Sequence, residues 1–276
     1  MNLTKKILAS SILITATAFS NQVSATVIGG IDIGSTGAVS LQDISAETIV
    51  TKEGDILYGI GHISAINNNL GFASGGVELN FIYSATVDFV SSDGTVIIFE
   101  PGNLSFFTNT IGTYNIGSFS DMANAQSTIS SGTDWLDLQS TTVSTLSPYN
   151  VTGAPATGGF FGTGTDFDGT TPNGSGVGYF SVIAGLGLAN STFDTNALLF
   201  NGITPYDLLF TSTFSVPFNP ITNLPTNPSW AIVQDASTFA AATNNVDEPD
   251  TLALLGLGLL ATALLSRRRQ PGLKLI

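Results

Sequence analysis

Apolar and polar positions alternate with a period of two through much of the chain. Val77, Leu79, Phe81 and Tyr83 alternate with Glu78, Asn80 and Ser84, and Val87 and Phe89 flank Asp88. Such alternation predicts half-buried β-strands, because successive side chains of a strand point to opposite faces. Ser91-Ser92-Asp93-Gly94 separates this run from Val96-Ile97-Ile98-Phe99, and Asp-Gly between two apolar runs predicts a hairpin. Glu100-Pro101-Gly102-Asn103 supplies the next turn. Further strands are expected at residues 56–66, 104–108, 114–119, 178–188, 207–216 and 229–233. A sustained helical period is lacking; residues 121–127 (DMANAQS) predict only a short helical turn. Turn signals recur about every 8–12 positions, as in a sandwich or barrel. The expected fold class is all-β: one antiparallel β-sandwich, jelly-roll-like in one variant, over residues 26–235.

Two stretches interrupt the rhythm. Residues 153–178 are rich in Gly, Thr and Asp and read as a long loop. Residues 218–228 (FNPITNLPTNP) hold three prolines, which restrict them to extended or turn structure. Residues 236–245 are small and polar and read as a stalk.

The two ends have a different character. Lys5 and Lys6 precede an apolar stretch at residues 7–19, and Val23-Ser24-Ala25 fits a small-residue cleavage site. This pattern predicts a signal peptide at residues 1–25, cut between Ala25 and Thr26. Near the other end, residues 251–265 (TLALLGLGLLATALL) are uncharged. At about 1.5 Å rise per residue this run covers about 23 Å as a helix, short of a hydrocarbon core of about 30 Å. Arg267, Arg268 and Arg269 follow, and their stems can reach the headgroups and anchor a single transmembrane helix. The positive-inside rule leaves these arginines in the cytoplasm and residues 26 to about 248 outside.

Val246-Asp247-Glu248-Pro249, the short Leu/Gly/Ala helix and Arg267-Arg268-Arg269 together resemble a PEP-CTERM sorting signal, spanning residues 246–270. Glu248 and Pro249 match the last two motif positions, while Asp247 replaces the first proline. The resemblance implies processing near Glu248-Pro249 by an exosortase, a membrane-embedded enzyme of Gram-negative bacteria. It also implies passage through the inner membrane to the cell surface or the extracellular matrix, often with exopolysaccharide. Some members of the family are associated with floc or biofilm formation.

Charge narrows the functional classes. The 276 residues carry 20 Asp+Glu against 7 Lys+Arg, a net charge of −13. Six of the seven cations lie in the two terminal segments. Residues 26–248 hold 19 acidic residues and one lysine, Lys52, a formal charge of −18. Nucleic-acid binding needs Lys/Arg clusters and is excluded. The chain has no Cys and a single His, His62, so disulfides, thiolate zinc sites and multi-His metal sites are excluded as well.

Four candidate features remain. Asp166, Asp168 and Asn173 place hard oxygen ligands in a Gly-rich segment and are candidate Ca²⁺ ligands, although the spacing is not an EF-hand. Asp134 and Asp137 flank Trp135, a pattern that suits either a sugar platform or a strand with a core tryptophan. His62 alternates with apolar residues, and no G-x-S-x-G elbow accompanies it. A glycosidase needs only two carboxylates at a set separation, and 19 are present. The expectation is a non-enzymatic surface or matrix protein without a required cofactor. The alternatives are a secreted carbohydrate-binding module and a glycan hydrolase.

Overall fold

The computed structural model describes residues 26–34, 37–116, 118–144, 151–167, 173–215 and 230–242. The strands are β1 (Val27–Ile28), β2 (Ile31–Asp32), β3 (Gly37–Thr48), β4 (Ile56–Ile66), β5 (Val77–Val90), β6 (Val96–Phe99), β7 (Asn103–Thr110) and β8 (Thr133–Ser140). They continue as β9 (Val143–Ser144), β10 (Thr157–Gly158), β11 (Phe160–Thr165), β12 (Asn173–Val182), β13 (Leu198–Phe200), β14 (Thr204–Tyr206), β15 (Leu208–Ser215) and β16 (Trp230–Ala242). Two helices interrupt them, α1 (Met122–Ser130) and α2 (Asn190–Phe193).

Ten strands form one antiparallel sheet in the order β11-β6-β5-β4-β3-β16-β15-β12-β8-β7. Two additional pairings, β11 with β12 and β7 with β5, close it on itself. The closure depends on two long strands that divide an edge between neighbours. β5 gives residues 77–84 to β7 and residues 87–90 to β6. β12 gives residues 173–178 to β11 and residues 180–182 to β8. The all-β, antiparallel expectation therefore holds, with the two layers joined into a continuous circuit that leaves few free edges.

The interior is aromatic. Phe81, Tyr83, Phe106, Trp135, Phe160, Phe180, Phe193 and Phe210 belong to one buried cluster with Ile31, Leu41, Ile63 and Leu79. Each large ring buries about 150–250 Å², so this cluster dominates the hydrophobic stabilisation. α1 covers the outer face of β4, β5 and β7. Its Met122, Ala125 and Ile129 meet Ala46 and Ile60 in a second cluster. Asp121 caps this helix, its carboxylate accepting from Asn124 N at 2.8 Å.

Several local expectations differ from the structure. The segment at 153–178 is not one loop: it contains β10, β11 and much of β12. Its glycines sit where two backbones pass closely, Gly162 opposite Gly176 and Gly164 opposite Gly174. A Cβ on Gly164 would lie 2.0 Å from the Asn173 carbonyl. Residues 114–116 and 118–119 form no strand, because Glu78 takes the Gly112 and Tyr114 amides into an irregular loop. The expected stalk is strand up to Ala242, paired with β3 and β15. The chain separates into two compact units after Thr243, and the second, residues 244–276, lies outside the described residues. The signal peptide and the expected membrane helix at 251–265 also lie outside them. No helix among the described residues is long and apolar enough to cross a membrane.

Candidate functional site

Strand β3 carries the feature that periodicity did not reveal. Val39 and Leu41 face the interior in the main core cluster. Continuing the alternation, the next inward positions are Asp43, Ser45 and Glu47, all buried. Opposite them on β4 stand Ile63, Gly61 and Gly59. The two glycines make room for rings from β5: a Cβ on Gly59 would lie 1.9 Å from the Tyr83 ring, and one on Gly61 would lie 2.0 Å from Phe81. Tyr83 thus lies across Gly59, and its Oη donates to Glu47 Oε2 at 2.5 Å.

Burial governs the electrostatics of this row. It pushes the Glu47 carboxyl up to about 7, and the Tyr83 hydrogen bond opposes it. Asp43 is raised well above the usual carboxylate range by burial alone. Its two oxygens and the Ser45 hydroxyl find no hydrogen-bond partner among the described residues. The Tyr83 phenol is raised by its own burial and then by the neighbouring Glu47 charge. A protonated Glu47 is the form suited to such surroundings, since an isolated buried carboxylate is strongly disfavoured.

Glu47 also lines a small cavity of about 40 Å³, partly open to solvent, between the end of β3 and strands β6, β11, β12 and β15. Leu57, Phe99, Phe160 and Phe167 contribute apolar walls, and Ser212 adds a hydroxyl. A cavity of this size has room for a few water molecules and falls well below the about 300–1,000 Å³ of small-molecule sites.

The opposite face of the same strands holds a second polar group of different character. His62 Nδ1 lies 3.0 Å from Asn80 Oδ1. Asn80 Nδ2 donates to Glu78 Oε1 at 2.9 Å and to Asn109 Oδ1 at 3.1 Å. Asn109 Nδ2 donates to the Ile129 carbonyl, tying β7 to α1. His62 stacks on Tyr114, with ring centroids 5.7 Å apart. This arrangement is structural, and His62 has an amide as its partner rather than a nucleophile.

Trp135 is fully buried against Phe106 and Phe193. Its Nε1 donates to the Ile28 carbonyl at 3.0 Å, so the ring is core and offers no sugar platform. A β-bulge falls at this tryptophan, with Phe106 opposite Leu136 and Phe107 opposite Asp134. The bulge brings Asp134 and Asp137 to the same face, where simple alternation would separate them. The Asp134 carboxyl is raised to about 6 by desolvation, then by sharing a hydrogen bond with Asp137 and by its charge.

Asp166 and Asn173 flank the β11–β12 turn, with Thr165 paired to Asn173. Asp168 lies outside the described residues. Among the described residues no group of three or more His, Cys, Asp or Glu is placed to hold a metal ion. The cleavage pair Ala25 and Thr26 is described only at Thr26, which hydrogen-bonds Gly34 and Ile33 through its backbone. Val246, Asp247, Glu248, Pro249 and Arg267–Arg269 lie beyond the described residues.

No curated protein and no solved structure matches this chain. The model of the PEP-CTERM protein-sorting motif matches residues 248–269, covering Glu248, Pro249, the apolar run and the three arginines, with the Asp247 departure just outside it. The chain carries a PEP-CTERM protein-sorting motif, the mark of an exported protein handed to an exosortase at the membrane.

Proposed function

We propose that this protein is a non-enzymatic structural component of the cell surface or extracellular matrix, associated with exopolysaccharide in flocs or biofilm. The observation that carries the reading is the sorting motif at residues 248–269. The charge distribution supports it. Removal of both terminal segments deletes six of the seven cations and leaves an acidic β-protein. High net charge favours solubility and suppresses self-association. Divalent cations such as Ca²⁺ then bridge it to acidic polysaccharide, with Asp166, Asp168 and Asn173 as candidate ligands. Intact-mass analysis of the extracellular protein tests the sorting route. The expected product begins at Thr26 and ends near Glu248; a surface form that retains Arg267–Arg269 would refute it. Retention in the matrix after Ca²⁺ chelation would remove the bridging component.

A hydrolase is the second reading, and the bulge at Trp135 is the observation that favours it. It gathers Asp134 and Asp137 on one face with one carboxyl raised, the asymmetry that acid–base work uses; their shared hydrogen bond holds them closer than the about 5–9.5 Å of a glycosidase pair, so a substrate would have to part them. Turnover of a glycan panel that disappears in Asp134→Asn would establish this reading over the structural one.

A further inference from the structure

We propose that one end of the closed sheet is a membrane-resting face. It sits on the lipid headgroup layer while the protein is held at the bilayer, with exposed leucine and isoleucine side chains dipping into the interface. This inference rests on the sorting reading, which supplies the tether, and concerns which surface of the folded domain meets the lipid.

The first observation is where the chain leaves the domain. β3 runs from Gly37 at one end of the sheet to Thr48 at the other, 12 residues and so on the order of 35 Å along the strand. β16 runs antiparallel to it and brings Ala242 opposite Gly37. At the start of the domain the Thr26 amide donates to the Gly34 carbonyl, just ahead of Gly37. Both chain exits therefore lie at the Gly37 end. Both apolar terminal stretches attach there, residues 7–19 through residues 20–25 and residues 251–265 through residues 243–250. Even fully extended, residues 243–250 reach at most about 30 Å, which keeps the bilayer close to this end.

The second observation is the surface at that end. The β1–β2 hairpin closes it, with Ile31 and Ile33 buried in the main cluster. The hairpin bonds residues 67–76, Asp32 N donating to the Phe72 carbonyl and Ser74 N to the Gly30 carbonyl, and the Ile111 amide donates to Gly76. A Cβ on Gly29 would lie 2.9 Å from Leu188. On these linked segments Val27, Leu70, Ile111, Leu186 and Leu188 are exposed, Leu70 by 80% and Ile111 by 66%. The third observation is charge. Segments 26–34, 67–76, 111–116 and 183–189 carry a single charged residue, Asp32, whose carboxylate accepts from Gly34 N. The opposite end presents Lys52, Glu53 and Asp55 in the β3–β4 loop and Asp93 in the β5–β6 turn. An anionic headgroup layer repels the acidic surfaces of this domain, and least of all its uncharged end. Exposed Leu and Ile there gain by entering the interface, as the apolar face of an interfacial helix does. A second copy of the chain would cover the same side chains, but only lipid is kept within reach by the tether.

The test uses the full chain reconstituted into vesicles of phosphatidylcholine with a minority of phosphatidylglycerol. The chain has no cysteine, so Leu70→Cys, Ile111→Cys and, at the far end, Glu53→Cys each carry one environment-sensitive fluorophore. All three positions are exposed, so the core is untouched. Lipids spin-labelled at the headgroup are expected to quench the Leu70 and Ile111 labels and to leave the Glu53 label bright. Aqueous iodide is expected to do the reverse. Leu70→Asp added to the Ile111→Cys chain should lower the lipid quenching and open that label to iodide. Flotation after alkaline carbonate washing reports the anchor separately. Floating protein whose three labels are equally open to iodide would overturn the proposal and leave the sorting reading standing. Protein that does not float with the vesicles would remove the tether, and both readings with it. Shielding that grows with protein concentration and shows no lipid quenching would assign this face to a second copy of the chain and overturn the lipid contact.

Discussion

The two faces of the β3–β4–β5 segment bury polar side chains in opposite ways. Outside, under α1, Glu78, Asn80 and Asn109 form a connected set of hydrogen bonds that reaches His62 and the helix carbonyl of Ile129. Inside, Asp43 and Ser45 have no hydrogen-bond partners among the described residues, and Glu47 has Tyr83. The outer set fixes a helix and a loop against the sheet. The inner row costs stability, because its groups lose water and regain little in return. The outer set is closed by its own bonds, with the Tyr114 hydroxyl beside it left unpaired among the described residues, and reads as architecture. The inner row is less complete: Asp43 and Ser45 are unsatisfied among the described residues, and Glu47, which lines the small cavity, has one bond.

Three changes test this contrast. Asn80→Ala should have the largest effect. It removes bonds to Glu78 and Asn109 and the contact with His62, and leaves buried partners stranded. Urea unfolding should show a loss of about 4 kcal/mol, the sum of several bonds and their unsatisfied remnants. An effect below about 1 kcal/mol would mean that the outer set is dispensable.

The pH dependence of stability comes next. A carboxyl raised in the folded state binds more protons there than in the unfolded chain. Its stabilising contribution is complete below the unfolded value of 4.5 and is lost as pH rises through about 7. Glu47 should therefore make the protein more stable at pH 4.5 than at pH 8 by on the order of 3 kcal/mol. Asp134, raised to about 6, and Asp43 add in the same direction. Relief of repulsion among the many surface carboxylates acts likewise, so the diagnostic measurement is a difference between variants. Unfolding free energies across this window should be flatter in Glu47→Gln than in the unaltered chain. Parallel curves would show that Glu47 is ionised throughout.

Asp43→Asn should have the smallest effect, and of opposite sign. It removes a buried charge-bearing group with no partner while preserving volume. A gain of about 1 kcal/mol at pH 8 is expected, fading in acid as Asp43 itself becomes neutral. Destabilisation at pH 8 would reveal that the carboxylate is paired in the native protein.

Legibility in the sequence followed the chemistry of the inward face. β4 was readable to its ends, residues 56–66, and the Asp93-Gly94 and Pro101-Gly102 turns fell where expected. Apolar periodicity does not predict β3 as a strand. Its inward positions change from Val39 and Leu41 to Asp43, Ser45 and Glu47, so apolar periodicity disappears halfway along. The candidate site was hidden for the same reason. A signal did exist: Gly59 and Gly61 at alternate positions of a predicted strand, a pattern that marks close approach by neighbouring rings. The sequence pattern does not reveal the β11–β12 hairpin, because glycine is a poor strand former alone. Here each glycine faces another backbone or ring, which propensity does not register.

What the sequence determined by itself is the set of properties that are local and compositional. The sorting motif at residues 248–269, the acidic character of the region before it, the all-β class and several hairpins depend on neighbours in the chain or on simple counts. What only the tertiary structure decided depends on residues far apart. Closure of the sheet needs β16 against β3 and β11 against β6. The rise of Glu47 needs burial beside β11 and β15, and the hydrogen bond that opposes it comes from Tyr83 on β5. The pairing of Asp134 with Asp137 needs a bulge set by β7. A side chain's charge state and access are fixed by what surrounds it, and for Glu47 those surroundings come together only when the sheet closes.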